Sequence, residues 1–215
     1  ILQYVRLSEL DNFDELFYYD GRLGPLYQKE KTTFKVWAPT ALEVMVKVGN
    51  EAYQIERKEK GVFEVTVQGD NQEYNYLIRH HKSFHETLDP YAYASNANSN
   101  SNIVIDVDKI NEPLYLENLP HMKRKTEAII YELSVRDFTM SKTINATHPG
   151  TFMSLIESGL VTPQGNKAGF DYLVDLGVTH VQIMPMYDFA TVDELHPTVM
   201  YNWGYDPIQY NVPEG

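Results

Sequence analysis

The feature that most constrains the fold is a change of hydrophobic rhythm part-way along the chain. Thr32–Ala38 sets Phe34, Val36 and Ala38 against Lys35 and Trp37, and Leu42–Val48 sets Leu42, Val44, Val46 and Val48 against Glu43, Met45 and Lys47. Side chains alternate across a strand, so a period of two predicts strands with one buried face. Val62–Gln68 repeats the pattern with Phe63, Val65 and Val67, and Glu73–His80 repeats it with Tyr74, Tyr76 and Ile78. Turn residues separate these segments: Ala38-Pro39-Thr40, Gly49-Asn50, Lys60-Gly61 and Gly69-Asp70-Asn71. Strands at this spacing predict an all-β sandwich. Ile103–Val107 reads as its last strand, and Ser95–Asn102, almost entirely Ser, Asn and Ala, reads as a loop.

From about residue 126 the pattern differs. Glu127–Leu133 is a short apolar run suited to a strand buried on both faces. Lys167–Leu176 fits a helix with Phe170, Leu173 and Val174 on one stripe, and Gly177 stands just past its end as a stop. Val178–Met184 is a second buried-type strand, closed by Pro185. Strand, loop, helix and strand make a β/α unit with parallel strands. The boundary between the halves falls near 109–126, opened by Asn111-Glu112-Pro113 and closed by Pro120–Lys125. Two strands and a helix do not make an independent domain, and a (β/α)8 barrel needs ~250 residues. The second half is therefore expected to be the opening of a longer chain.

Composition narrows the function. Thirty acidic against eighteen basic residues leave a net charge of −12, which repels phosphate backbones and argues against nucleic acid. A neutral sugar is indifferent to that charge, and the sixteen tyrosines suit sugar rings, although most are expected in the core. No apolar run reaches membrane-spanning length. No cysteine is present, which removes disulfides, thiolate metal sites and Cys nucleophiles. The sequence opens on Ile1 with no visible secretion signal, which leans the expectation toward the cytoplasm.

Tyr201–Pro207 reads Tyr-Asn-Trp-Gly-Tyr-Asp-Pro. This heptapeptide resembles a signature of the type I pullulanases, debranching members of the α-amylase glycoside hydrolase family. Phe17–Tyr27 (FYYDGRLGPLY) and Thr32–Ala41 (TTFKVWAPTA) resemble the start of the β-sandwich module of these enzymes, and Asp89-Pro90-Tyr91-Ala92 its end. Ile129–Thr139 resembles the first barrel strand, and Gly169–Phe189 the first barrel helix and second strand. The resemblance implies an immunoglobulin-like, glycan-binding-type sandwich followed by a (β/α)8 barrel cut off after its second strand. The corresponding divisions are a lead-in at 1–28, the sandwich at 29–108, a linker at 109–125 and the first catalytic β/α units at 126–215.

The same resemblance implies a retaining hydrolase of α-1,6-glucosidic branch points in pullulan, amylopectin or limit dextrins. Such chemistry needs two carboxyl groups ~5–5.5 Å apart. In the family these lie on later barrel strands, so no catalytic residue is assigned and the chain alone is expected to be inactive. Substrate contacts carry over to one loop. Tyr205 matches the tyrosine that stacks under the sugar, and Gly204 lets the loop turn. Asp206 matches a residue that organises the subsite, either by direct contact or through structural hydrogen bonds. Asn202 and Trp203 fix the loop, with Trp203 also placed to touch substrate. The implied partners are an α-glucan and the remainder of the barrel. The rival class is a non-catalytic α-glucan-binding module.

Other clusters are read more plainly. His80, His81 and His85 are expected to be exposed or at an edge, His121 lies in the linker, His148 and His196 lie in loops, and His180 is expected to be a core histidine. Glu132, Arg136 and Asp137 are read as an ion-pair network. Asp188, Asp193 and Glu194 form an acidic loop that could attract Ca2+ in the parent enzyme, but a solvated face is preferred, and no metal site or cofactor is assigned. Trp37 is expected to pack in the core, while Tyr74 and Tyr76 are either core residues or a glucan-binding patch.

Overall fold

The computed structural model describes residues 9–70, 72–110 and 122–215. The linker opening at 111–113 and His121 lie outside the described residues. The chain divides into two compact units, one of residues 1–112, 187–200 and 208–215, the other of 113–186 and 201–207.

The first unit is a β-sandwich. A short helix, α1 (Phe13–Phe17), precedes strands β1 (Gly24–Gln28), β2 (Lys31–Trp37), β3 (Glu43–Val48), β4 (Glu51–Gln54), β5 (Glu56–Arg57), β6 (Val62–Gln68), β7 (Glu73–Arg79), β8 (Phe84–Thr87) and β9 (Asn102–Ile103). One sheet has the order β1-β2-β6-β5, and the other runs β4-β3-β7-β8 with β9 also paired to β7. All these pairings are antiparallel. The alternation in the sequence is the cause of the core. Phe34 and Val36 from β2, Val44, Val46 and Val48 from β3, and Tyr74 and Tyr76 from β7 meet in one buried cluster with Phe63, Val67 and Val104.

Several local expectations are corrected. Leu42 is exposed, because β3 begins after it at Glu43. The last strand is only Asn102–Ile103, and Val107 instead opens a helical turn, α2 (Val107–Ile110). Tyr74 and Tyr76 are 1% and 0% exposed, so they are core residues and offer no surface patch. Trp37 is half-buried, held by its indole N–H donating to the carbonyls of Phe17 at 2.9 Å and Lys60 at 3.1 Å.

The second unit contains β10 (Ile130–Leu133), α3 (Val135–Thr139), α4 (Phe152–Leu155), α5 (Gly169–Leu176) and β11 (His180–Ile183). β10 and β11 are parallel neighbours, with Ile130 opposite His180 and Leu133 opposite Ile183. α5 ends as predicted, with Gly177 in the left-handed conformation at φ 72°. It starts two residues later than Lys167, and only Leu173 of the predicted stripe is buried. The two strands form where expected, but every residue of β11 is exposed and β10 buries only Leu133. Burial on both faces needs layers of structure on each side, and the described residues of this unit do not supply them. His180 is likewise exposed, its Nδ1 sharing a hydrogen bond with Thr179 Oγ1 at 2.9 Å. No described helix is long and apolar enough to cross a membrane.

Candidate functional site

The 201–207 segment belongs to the second unit, where it meets the chain just beyond the carboxyl ends of both parallel strands. Ligand sites of parallel β/α folds form at that end, from the loops that follow the strands. Beyond β10, Ser134 caps α3 by accepting from the Asp137 N–H. The Asp137 carboxylate then accepts from the Tyr201 hydroxyl at 2.6 Å. The Arg136 guanidinium lies 5.0 Å from the centre of the Tyr201 ring. The predicted ion-pair network is therefore replaced. Asp137 and Arg136 both engage Tyr201, while Glu132 accepts from Gln182 at 3.5 Å.

Beyond β11, Gly204 sits against Pro185. It has φ +83°, and a Cβ there would fall 2.1 Å from the Pro185 carbonyl oxygen. Only glycine fits this combination of close approach and left-handed backbone. Asn202 closes the turn, with Oδ1 accepting from the Gly204 N–H at 2.7 Å and Nδ2 donating to Asp206 Oδ1 at 2.7 Å. Trp203 stands edge-on to Tyr201, with ring centres 6.3 Å apart and planes at 90°. The result is a fixed loop that turns large aromatic faces outward. Tyr205 is 64% exposed and Trp203 61% exposed. All four predicted residues are thus in one loop, with Asn202 and Asp206 as its internal bonds and Trp203 and Tyr205 as its faces.

The sandwich unit carries two other features. A groove of about 490 Å³ is lined by Trp37, Ile78, Thr87, Pro90, Tyr210 and Asn211 among others. The Asn211 amide is already engaged, donating to the Pro90 carbonyl at 2.8 Å.

Residues 22–92 match the family model for carbohydrate-binding module 48, the isoamylase N-terminal domain. The pullulanase of Bacillus subtilis strain 168 is 40% identical over 94% of this chain and 29% of its own length. Pullulanase A of Streptococcus pneumoniae serotype 4 is 30% identical over 92% of this chain and 18% of its own. A pullulanase from Anoxybacillus sp. LM18-11 complexed with maltotriose superposes with a TM-score of 0.88 at 41% identity, covering 96% of this chain and 31% of that one. The type I pullulanase of Bacillus subtilis complexed with maltose gives a TM-score of 0.84 at 38% identity over 96% of this chain and 30% of that one.

Over nearly all of its length the chain resembles the N-terminal part of a type I pullulanase. It spans less than a third of the length of these relatives. Its sandwich matches the immunoglobulin-like carbohydrate-binding module 48 over residues 22–92.

The second feature of the sandwich unit is a carboxylate trio that no sequence pattern announces. Asp188, Glu194 and Glu214 each bring an oxygen within 4.8 Å of the others. The predicted acidic loop contained the first two, but Asp193 points elsewhere, to His196 at 2.9 Å and to the Asn98 amide at 3.0 Å. Asp188 is 1% exposed rather than solvated. Its Oδ2 accepts from Ser95, Ser99 and Gln209, while Oδ1 has no hydrogen-bond partner among the described residues. Burial pushes this carboxyl up, and the nearby Glu194 charge adds to the rise. Oxygen-only ligands of this kind suit a hard cation such as Ca2+ better than zinc. Glu214 and Asp188 are far apart in sequence, so no local spacing signals the group. Asp137, the anchor of Tyr201, was missed as a loop-holding residue for the same reason.

Proposed function

We propose that this chain supplies the sandwich module, the first β/α units of the catalytic barrel and one substrate-binding loop of a pullulanase-type α-1,6-glucosidase. The division at 29–108, 109–125 and 126–215 belongs to this reading. The observation that carries it is the 201–207 loop, rigidly bonded within itself yet presenting the exposed rings of Trp203 and Tyr205. Aromatic faces of this kind suit the C–H faces of a pyranose. Two of the similar structures are complexes with maltotriose and maltose, which supports an α-glucan as the ligand. Tyr205 stacks on the sugar, Trp203 flanks it, and Asn202 and Asp206 hold the geometry. No carboxylate of this chain is assigned to bond cleavage, and the remaining barrel strands are the partner that supplies it.

The test joins this chain to the C-terminal part of the Bacillus subtilis pullulanase, with which it is 40% identical. The joined enzyme should hydrolyse pullulan, whereas the present chain should not. Tyr205→Ala should lower kcat/KM about 100-fold, about 3 kcal/mol of lost transition-state stabilisation. Undiminished hydrolysis in that variant would remove the stacking assignment.

A second reading rests on the match of residues 22–92 to a carbohydrate-binding module. Here the sandwich retains α-glucan without cutting it. Retardation of the present chain on an amylopectin gel, unaltered by Tyr205→Ala, would favour this reading over the first.

A further inference from the structure

We infer that Asp137 and Arg136 are positioning residues that clamp the 201–206 loop through Tyr201. The inference rests on the reading of that loop as a sugar-binding element. Three contacts converge on one ring. The Asp137 carboxylate takes the hydroxyl at 2.6 Å, the Arg136 guanidinium lies 5.0 Å from the ring centre, and Trp203 meets the ring edge-on. The contacts are directional in different ways. A carboxylate fixes the hydroxyl end, a planar cation over the π face fixes the ring plane, and the T-shaped pair passes that orientation to Trp203.

The clamp is pre-positioned by the fold. Asp137 and Arg136 lie in the first turn of α3, immediately after β10, and Ser134 satisfies the Asp137 N–H. The Asp137 side chain therefore leaves its own helix end free to act on the loop. At the other end of the segment, Gly204 rests on Pro185 beyond β11. The loop is thus pinned at two points, one past each parallel strand, with Trp203 between them. The hydrogen bond from Tyr201 also pushes that hydroxyl above its usual 10.0, with Asp137 the largest cause and Arg136 opposing it. Neither Asp137 nor Arg136 is placed to touch sugar in this account; both act through Tyr201.

The test uses the present chain and amide hydrogen exchange. The reporter is the Gly204 N–H, which donates to Asn202 Oδ1 inside the loop. The control is the Met184 N–H, which donates to the Leu133 carbonyl between the parallel strands. Asp137→Ala and Tyr201→Phe should each speed exchange at Gly204 about tenfold, the scale of one hydrogen bond to a charged group. The Asp137→Ala, Tyr201→Phe double variant should be no faster than either single variant, because each removes the same bond. Met184 should be unaffected, which shows that the unit remains folded. Tyr201→Phe keeps the ring and its contacts, so folding is not at risk from that variant. Unchanged Gly204 exchange, or full additivity in the double variant, overturns the clamp.

In the enzyme joined to the Bacillus subtilis C-terminal part, Asp137→Ala and Tyr201→Phe should each lower kcat/KM about tenfold. Faster exchange with undiminished kcat/KM overturns the positioning role. Tyr205→Ala in the same enzyme reads the sugar contact separately. If it alone has no effect, the stacking assignment falls while the exchange results still decide the clamp.

Discussion

The Tyr74 hydroxyl donates to Asp89 Oδ2 at 2.8 Å inside the sandwich, where both residues are 1% exposed. Asp89 also accepts from the Tyr91 N–H at 2.8 Å, but these bonds do not offset the cost of burying its charge. Its carboxyl is raised from 3.8 to about 6, with burial the dominant cause and the two hydrogen bonds opposing it. The folded state therefore holds a proton that the unfolded chain has released. The stabilisation is complete below about pH 4 and is lost as pH rises through about 6. The shift corresponds to about 3 kcal/mol. Urea unfolding of the wild type and Asp89→Asn should thus show a stability difference that changes by about this amount between pH 4 and 7.5. A difference independent of pH would contradict the assignment.

Tyr76 lies on the same face of β7, but its hydroxyl has no hydrogen-bond partner among the described residues. A buried donor left unpaired costs free energy that its removal returns. Tyr76→Phe should stabilise the sandwich by about 1 kcal/mol. Tyr74→Phe should do the opposite, costing about 1–3 kcal/mol, because it strips a buried carboxylate of a donor. Calorimetric melting of both variants separates the two outcomes, and a shift in the same direction for both would refute this account.

Phe34 joins the two sheets through an aromatic contact, its ring centre 4.7 Å from that of Tyr74. Phe34→Ala should cost about 3–5 kcal/mol, since the surrounding strands cannot collapse into the space. Denaturant unfolding followed at the sandwich should show the loss. A cost below about 1 kcal/mol would mean that the core repacks freely.

How far the sequence could be read depended on whether the signal was local. β2, β3, β6 and β7 were legible because their alternation is itself the cause of their burial. β8 was not, because Phe84–Thr87 is an edge strand exposed along its whole length and carries no one-sided pattern. β10 and β11 were legible as strands from their β-branched and apolar runs. Their exposure was not, because burial depends on neighbouring layers rather than on the run itself. The Tyr201–Pro207 loop was readable as a motif, and Gly204 was readable as its turn. The hydroxyl bond from Tyr201 to Asp137 and the gathering of Glu214 with Asp188 join residues distant in sequence, and neither leaves a spacing to find.

Gly204 provides the sharpest test of the loop. Its backbone is left-handed at φ +83°, and an added Cβ would lie 2.1 Å from the Pro185 carbonyl oxygen. The left-handed conformation alone costs a non-glycine residue about 1–2 kcal/mol. The clash is worse, because the opposing atom is backbone just beyond β11 and cannot rotate away. Gly204→Ala should therefore lift the loop from Pro185 and break the Asn202 bond to the Gly204 N–H, displacing Trp203 and Tyr205 together. The sandwich unit contains none of residues 201–207, so its unfolding transition should be unaltered. In the joined enzyme, pullulan hydrolysis should fall at least as far as in Tyr205→Ala. Wild-type hydrolysis in Gly204→Ala would show that the close approach to Pro185 is not what sets the aromatic faces in place.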